Sequence, residues 1–149
     1  MLVLRDLLHG SVARTLRLPT VYFSSSLVLS GTLARLSSSH ITTLEFAWDA
    51  WMASVSGYSV FSPRVAEALL QWKNLKKLEC HYHWIGEVLH DVRTATTIAD
   101  VQNWGIHNTP ILDVTFGHAN IRGAVLGWVH FRRKNVHAEW HQVEMHPYL

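Results

Sequence analysis

The amino-acid sequence predicts an α/β domain made of stacked strand–helix units and closed by a C-terminal β-hairpin. Three observations lead to this fold class: a short apolar phrase recurs four times, helix-like segments separate its copies, and two strand-like segments end the chain. Each copy carries apolar residues at its first, fourth and sixth positions, and the alternation at its end is typical of a β-strand. The copies occupy residues 18–23, 41–46, 75–80 and 111–116, so they start 23, 34 and 36 residues apart.

A strand followed by a helix is the unit of leucine-rich-repeat architectures, in which each unit buries its apolar edge by stacking on its neighbours. The unequal spacing of the copies predicts a degenerate stack of three to four units. Stacks of this kind usually bind other proteins and seldom catalyse reactions. The sequence therefore predicts a single leucine-rich-repeat-like domain over residues 1–149, or a fragment of a longer protein.

Helices are predicted before the second and third copies of the phrase. The first, across residues 27–36, follows a serine cluster that can cap it. Ser62 is a good N-cap for the next, and Pro63 stands at the first helical position, where its missing N–H costs nothing. This helix is expected to end at Asn74, a residue that can adopt the left-handed conformation.

Further short helices are predicted at residues 2–8 and between the third and fourth copies. Apolar residues at positions i, i+3, i+4 and i+7 indicate a helix over residues 85–92. Thr97 and Asp100 form a capping pair for the one after it, and Gly105 suits its C-terminal end.

The end of the chain reads as two β-strands. The segments 125–131 and 136–143 are strand-like, and Lys134 and Asn135 between them predict the turn of a β-hairpin. Such a hairpin would cover the open edge of the last repeat.

Composition favours a protein that is partly covered by a partner or by a neighbouring repeat. Charged residues make up 16% of the 149, against a norm of about 25%, and seven tryptophans are many for this length. The net charge of +2 and the lack of a basic stripe argue against a nucleic-acid partner. No run approaches the ~20 apolar residues that span a bilayer, so no membrane role is expected.

Cysteine content indicates a reducing compartment. The single cysteine, Cys80, excludes an internal disulfide, which fits the cytoplasm or the nucleus. The alternative is a mitochondrial location, because residues 1–40 hold four arginines and one acidic residue, as presequences do. Cys80 takes the last apolar position of its phrase, so we expect a buried, inert thiol.

The repeat pattern also has a family likeness. The spacing within residues 41–46, 75–80 and 111–116, with Trp128 and Trp140 in the predicted hairpin, resembles the divergent leucine-rich repeats of fungal F-box-like proteins. In that family an F-box helix bundle binds the Skp-type adaptor of a cullin ubiquitin ligase, and the repeats select the substrate. The first 40 residues lack a Leu-Pro-x-Glu start and three-helix F-box text. The resemblance therefore implies substrate recognition, with a Skp-type adaptor as partner only if an F-box lies outside this chain.

A partner-binding face follows from the repeat geometry. Residues between the apolar positions of a repeat strand point to the open face of the sheet. If the copies stack in register, Glu45 and Glu79 are neighbours about 4.8 Å apart, and Lys77 or a cationic partner would relieve their repulsion. We expect this face either to bind a basic or amide-rich protein segment or to be a solvated surface. Its residues are Thr20, Tyr22, Thr43, Glu45, Lys77, Glu79, His81, Asp113 and Thr115.

A metal site is the alternative suggested by the eleven histidines. On a strand, period two puts His137, Glu139 and His141 on one face, and two imidazoles with a carboxylate can bind a divalent metal. The competing interpretation is a solvated polar face with Val136, Ala138 and Trp140 buried behind it. This alternative would make the chain a small metal-binding protein or a metal-dependent enzyme.

No motif specifies a reaction. The sequence has no glycine-rich phosphate loop and no Gly-x-Ser-x-Gly elbow, and His81 and His83 read as an exposed polar pair. We therefore expect a protein that is not an enzyme and has no cofactor. A truncated gene product without independent function is the remaining alternative, because fewer than about three repeats are seldom stable.

Overall fold

A single six-stranded sheet organises the molecule, and its strand order follows the order of the chain. The computed structural model describes residues 14–23, 26–49, 61–83, 97–119 and 125–146. Within these ranges the fold is mixed α/β, with three helices. The strands are β1 (Thr15–Phe23), β2 (Thr43–Asp49), β3 (Lys77–His83), β4 (Asp113–Ala119), β5 (Val125–Arg132) and β6 (His141–His146), and the helices are α1 (Ser26–Leu36), α2 (Pro63–Leu69) and α3 (Ile98–Asn103).

The first four strands are parallel, and the repeated phrase is in register across β2, β3 and β4. Leu44 pairs with Leu78, and Leu78 pairs with Val114, so equivalent positions of three copies form one row across the sheet. Strands β5 and β6 then add to the β4 edge in antiparallel fashion. The predicted closing hairpin is therefore confirmed.

The first copy of the phrase lies earlier in the chain than predicted. Leu16 pairs with Leu44 and Leu18 pairs with Phe46, so Leu18 holds the last apolar position of its copy and not the first. The register then shifts before Tyr22, which pairs with Ala47. As a result, Arg17 lies opposite Glu45 of the second copy.

One face of the sheet and all three described helices share a single apolar core. The row through Leu44 and the row through Phe46 are buried, together with the aromatic residues Trp72 and Trp104 that follow α2 and α3. The indole of Trp72 also donates a hydrogen bond of 3.0 Å to the backbone carbonyl of Leu33 in α1. Because strand side chains alternate, burying one face sends the intervening polar residues to the other.

Helix α2 begins as predicted and ends earlier. The Ser62 side chain accepts a hydrogen bond from the Arg64 N–H, and Pro63 opens the helix. The helix ends at Leu69, and Asn74 does not have the positive φ predicted for it. Asn74 instead donates its side-chain amide to the Ser39 carbonyl at 2.7 Å, which ties the turn before β3 to the turn before β2.

Helix α3 has the predicted signals at both ends. The Thr97 N–H donates to the Asp100 carboxylate at 2.7 Å, and the Asp100 N–H donates back to the Thr97 hydroxyl at 3.4 Å, which completes a capping box. Gly105 follows with φ +91°, a conformation that glycine adopts without steric cost. The predicted helices over residues 2–8 and 85–92 lie outside the described residues.

The second strand of the hairpin begins later than predicted. The connecting segment 133–140 instead contacts the side chain of Arg133, through the Val136 carbonyl and the Trp140 ring. Arg133 is buried, its guanidinium lies 4.8 Å from the centre of the Trp140 ring, and no carboxylate bonded to it is described. Its N–H groups donate to the backbone carbonyls of Ile106, His107, Thr109, Ile111 and Val136. Residues 136–138 form a turn and a bend, and residues 139–140 have no regular structure, so the predicted strand is wrong over residues 136–140.

Candidate functional site: the polar face of the sheet

The face opposite the core carries ionisable side chains from five adjacent strands, and we call it the polar face. Its central row follows the strand register from Arg17 through Glu45 and Glu79 to Thr115 and His130. The residues that define it are Arg17, Thr43, Glu45, Lys77, Glu79, His81, Asp113, Thr115, His130 and Arg132.

Glu45 and Glu79 are register partners, as the stacked phrase predicted. Each carboxylate contacts a cation through one of its two oxygens, which we call the outer oxygen, and we call the other the inner oxygen. The Arg17 Nε lies 3.0 Å from Glu45 Oε2, and the Lys77 Nζ lies 3.0 Å from Glu79 Oε1. The expected repulsion between the two carboxylates is therefore relieved within the chain. Lys77 contributes as predicted, and Arg17 also contributes, because the first copy of the phrase lies earlier in the chain than predicted.

His81 lies between the inner oxygens of the two carboxylates. Its Nε2 is 3.0 Å from Glu45 Oε1 and 3.9 Å from Glu79 Oε2. The imidazole is 22% exposed, but the Nε2 atom itself is buried and has no contact with the angle of a hydrogen bond. Buried polar atoms are normally hydrogen-bonded, so this nitrogen is an exception.

Gly117, on the neighbouring strand β4, makes room for this ring. A Cβ atom at Gly117 would lie 3.0 Å from His81 Nδ1, which is closer than ordinary van der Waals contact. The absence of a side chain at Gly117 therefore leaves room for the imidazole against β4.

A second ionic cluster occupies the β4–β5 side of the polar face. The Asp113 carboxylate oxygen Oδ1 lies 2.8 Å from both Arg132 Nε and His130 Nε2. Partial burial alone would raise the pKa of Asp113, but the hydrogen bonds and charges of Arg132 and His130 outweigh burial and hold it below its usual value. Thr115 separates this cluster from the Glu45–Glu79 pair.

The residues predicted for partner binding on β2, β3 and β4 do share one face. These residues are Thr43, Glu45, Lys77, Glu79, His81, Asp113 and Thr115. Thr20 and Tyr22 lie on β1, but their side chains are outside the described residues, as is that of His83. Sequence reasoning missed Arg17, His130 and Arg132. The predicted hairpin strand ended at residue 131, one residue before Arg132, and period two continued to that residue puts His130 and Arg132 on one face.

The predicted metal set His137, Glu139 and His141 depended on a strand that does not exist there. His137 and Glu139 lie in the connecting segment, and His141 is the first residue of β6, so period two does not bring them to one face. Of the flanking residues expected to be buried, Trp140 is, whereas Val136 is exposed. Among the described residues, Glu45, Glu79 and His81 are instead the group of three whose ligand atoms all lie within 4.8 Å of one another.

Cys80 is buried in the core, as expected. It faces away from its neighbour His81 and has no exposed surface. Burial raises the pKa of the Cys80 thiol, because the thiolate would lose its hydration there. Cys80 is therefore neither a nucleophile nor a ligand for the His81 group.

A cavity of about 540 Å³ lies away from the polar face, between residues 107–110 and 136–138. Its walls include His107 and His137 and come from the two segments that Arg133 holds together. Sequence reasoning gave no sign of this cavity, because its walls come from two segments that are distant in sequence.

Comparisons of the chain with models of protein families, with curated proteins and with solved structures find no match.

Proposed function

We propose that the chain is a protein-binding domain of the leucine-rich-repeat type, and that the polar face is its binding surface. The observation that carries this proposal is the in-register row of polar side chains across β2, β3 and β4. Parallel strands in chain order, with helices packed on one face, are what stacked strand–helix units would produce.

The chemistry of the polar face favours a polar, uncharged partner segment. Its three full cations, Arg17, Lys77 and Arg132, are each paired with one of its carboxylates. Since these charges are already compensated, a basic segment would have to displace Arg17, Lys77 or Arg132 to reach a carboxylate. Asparagine, glutamine and hydroxyl side chains can donate to the carboxylates and accept from the cations, so we favour an extended amide-rich segment.

Substrate recognition for a ubiquitin ligase is the specific form of this function that the F-box resemblance suggests, and a Skp-type adaptor would require an F-box outside this chain. No described helix is long and apolar enough to cross a membrane. The presence of a single cysteine, Cys80, supports a location in the cytoplasm or the nucleus.

The proposal is tested with a substitution that blocks the polar face and removes none of the residues in its ion pairs. Thr115 lies at the centre of the face, so Thr115→Arg should remove a captured partner from pull-downs of the tagged chain. Gln102→Arg, on the exposed side of α3, introduces the same side chain away from the face and should retain the partner.

The double variant Glu45→Lys, Glu79→Lys tests the charges of the same face and should also lose the partner. Circular dichroism of each variant confirms that it is folded. A partner retained by the folded Thr115→Arg variant would overturn the proposal.

A further inference from the structure

We propose that Glu45, Glu79 and His81 bind a divalent transition-metal ion of the zinc type on the polar face. One imidazole with two carboxylates is a nitrogen and oxygen donor set suited to such ions. This inference is independent of any protein partner, since all three ligands come from this chain.

The spacing of the donor atoms suits a common metal ion. Zinc bonds to imidazole nitrogen and carboxylate oxygen are about 2.0–2.2 Å long, which puts neighbouring tetrahedral donors roughly 3.3–3.6 Å apart. The distances from His81 Nε2 to the inner oxygens of Glu45 and Glu79 are 3.0 and 3.9 Å, on either side of that value. Small side-chain rotations would bring all three donors to one ion.

The outer oxygens of the two carboxylates are held separately. Arg17 contacts Oε2 of Glu45 and Lys77 contacts Oε1 of Glu79, whereas His81 faces the opposite oxygen of each. Such outer contacts orient metal-binding carboxylates in known sites. The two cations also weaken the attraction for a metal ion, but their side chains are 70% and 45% exposed and can move outward when the ion binds.

The environment of His81 Nε2 also favours an added ligand. This nitrogen is buried and lacks a hydrogen bond, although Glu45 Oε1 lies 3.0 Å away, and the absence of a side chain at Gly117 leaves room for the ring against β4. With its proton on Nδ1, the neutral imidazole presents the Nε2 lone pair to the ion. Metal binding therefore satisfies the one buried imidazole nitrogen that the described structure leaves without a hydrogen bond.

Three protein ligands leave a coordination position for water or for a group from a partner. The site is on the surface that we propose for partner binding, so the ion would be accessible to that partner. The arrangement supports a metal-bridged contact and requires no reaction.

The test is titration of the purified chain with Zn²⁺ by calorimetry and with Co²⁺ by visible absorption. We expect one ion per chain. The dissociation constant should rise at least about 10-fold in His81→Ala and in Glu79→Gln, because removing even an outer contact of a metal ligand typically raises it about 10–100-fold. The control variants His137→Ala and His141→Ala remove histidines of the metal set that the sequence predicted. They should bind Zn²⁺ as the unchanged chain does.

Circular dichroism shows whether each variant is folded, and ¹⁵N chemical shifts of His81 report ligation through Nε2 without any substitution. Absence of stoichiometric binding, unchanged affinity in folded His81→Ala, or loss of binding in the control variants would each overturn the inference. Metal binding and partner capture are separate readouts, so failure of one leaves the other to be judged on its own result.

Discussion

At the scale of single residues, the polar face depends on charges that are compensated within the chain. Asp113 shows the principle most clearly, because it accepts contacts from both Arg132 and His130 at 2.8 Å. These two partners stabilise the carboxylate and hold the pKa of Asp113 below its usual value despite partial burial. The ionised form is therefore favoured more in the folded chain than in the unfolded chain.

This difference predicts how stability changes with pH. As the pH falls, the unfolded chain protonates Asp113 first, near its ordinary pKa of about 3.9, while the folded chain still holds the carboxylate ionised. The contribution of Asp113 is thus complete above that pH and is lost as the pH falls through the lower, folded-state pKa. We expect Asp113→Asn to be less stable than the unchanged chain at pH 7 and to lose less stability between pH 5 and pH 3. Urea unfolding across this range measures the effect, and equal acid slopes would contradict it.

Residue chemistry also explains what could be foreseen in the candidate site. The adjacency of Glu45 and Glu79 follows from two clear copies of the phrase, and the structure places them as partners. Arg17 could not be assigned in the same way, because residues 13–18 and 18–23 both fit the apolar phrase. Only pairing with β2 selects the earlier copy, and pairing depends on tertiary contacts that a local pattern does not contain.

At the scale of elements, capping signals predicted helix starts better than strand patterns predicted the hairpin. Ser62 and the Thr97–Asp100 pair act as expected, because a cap is a local hydrogen bond between residues close in sequence. The predicted start of β6 was wrong, since the segment before this strand contacts the buried Arg133 side chain. Buried arginines are rare, and no hydropathy pattern marks one.

Arg133 holds three parts of the molecule together: the turn after α3, the start of β4 and the connecting segment of the hairpin. Arg133→Met keeps much of the side-chain volume but leaves the carbonyls of Thr109 and Ile111 buried without their donor. Each such loss costs about 1–3 kcal/mol, so we expect the free energy of unfolding to fall by at least about 2 kcal/mol. Urea unfolding measures this change.

The matched control for that substitution is Lys134→Met, at the next position in the chain. Lys134 is exposed, so its replacement should change the free energy of unfolding by less than about 0.5 kcal/mol. Equal losses in the two variants would show that the Arg133 hydrogen bonds do not stabilise the hairpin.

At the scale of the whole molecule, one sheet separates a buried face from a polar face. The core is continuous from β1 to β5, so each of these strands depends on its neighbours for burial. The α/β class and the presence of a hairpin could be predicted because they follow from local patterns. The ion pairs of Arg17, His130 and Arg132 could not, because they depend on how β1 pairs with β2 and β4 with β5.

The central claim is that the polar face contacts a protein partner, and site-specific crosslinking tests it most directly. A photoreactive amino acid is placed at Thr115 on the polar face or at Gln102 on α3, and crosslinked proteins are identified by mass spectrometry. The account predicts that one protein crosslinks from Thr115 and does not crosslink from Gln102. Crosslinks to the same proteins from both positions, or from Gln102 alone, would contradict it.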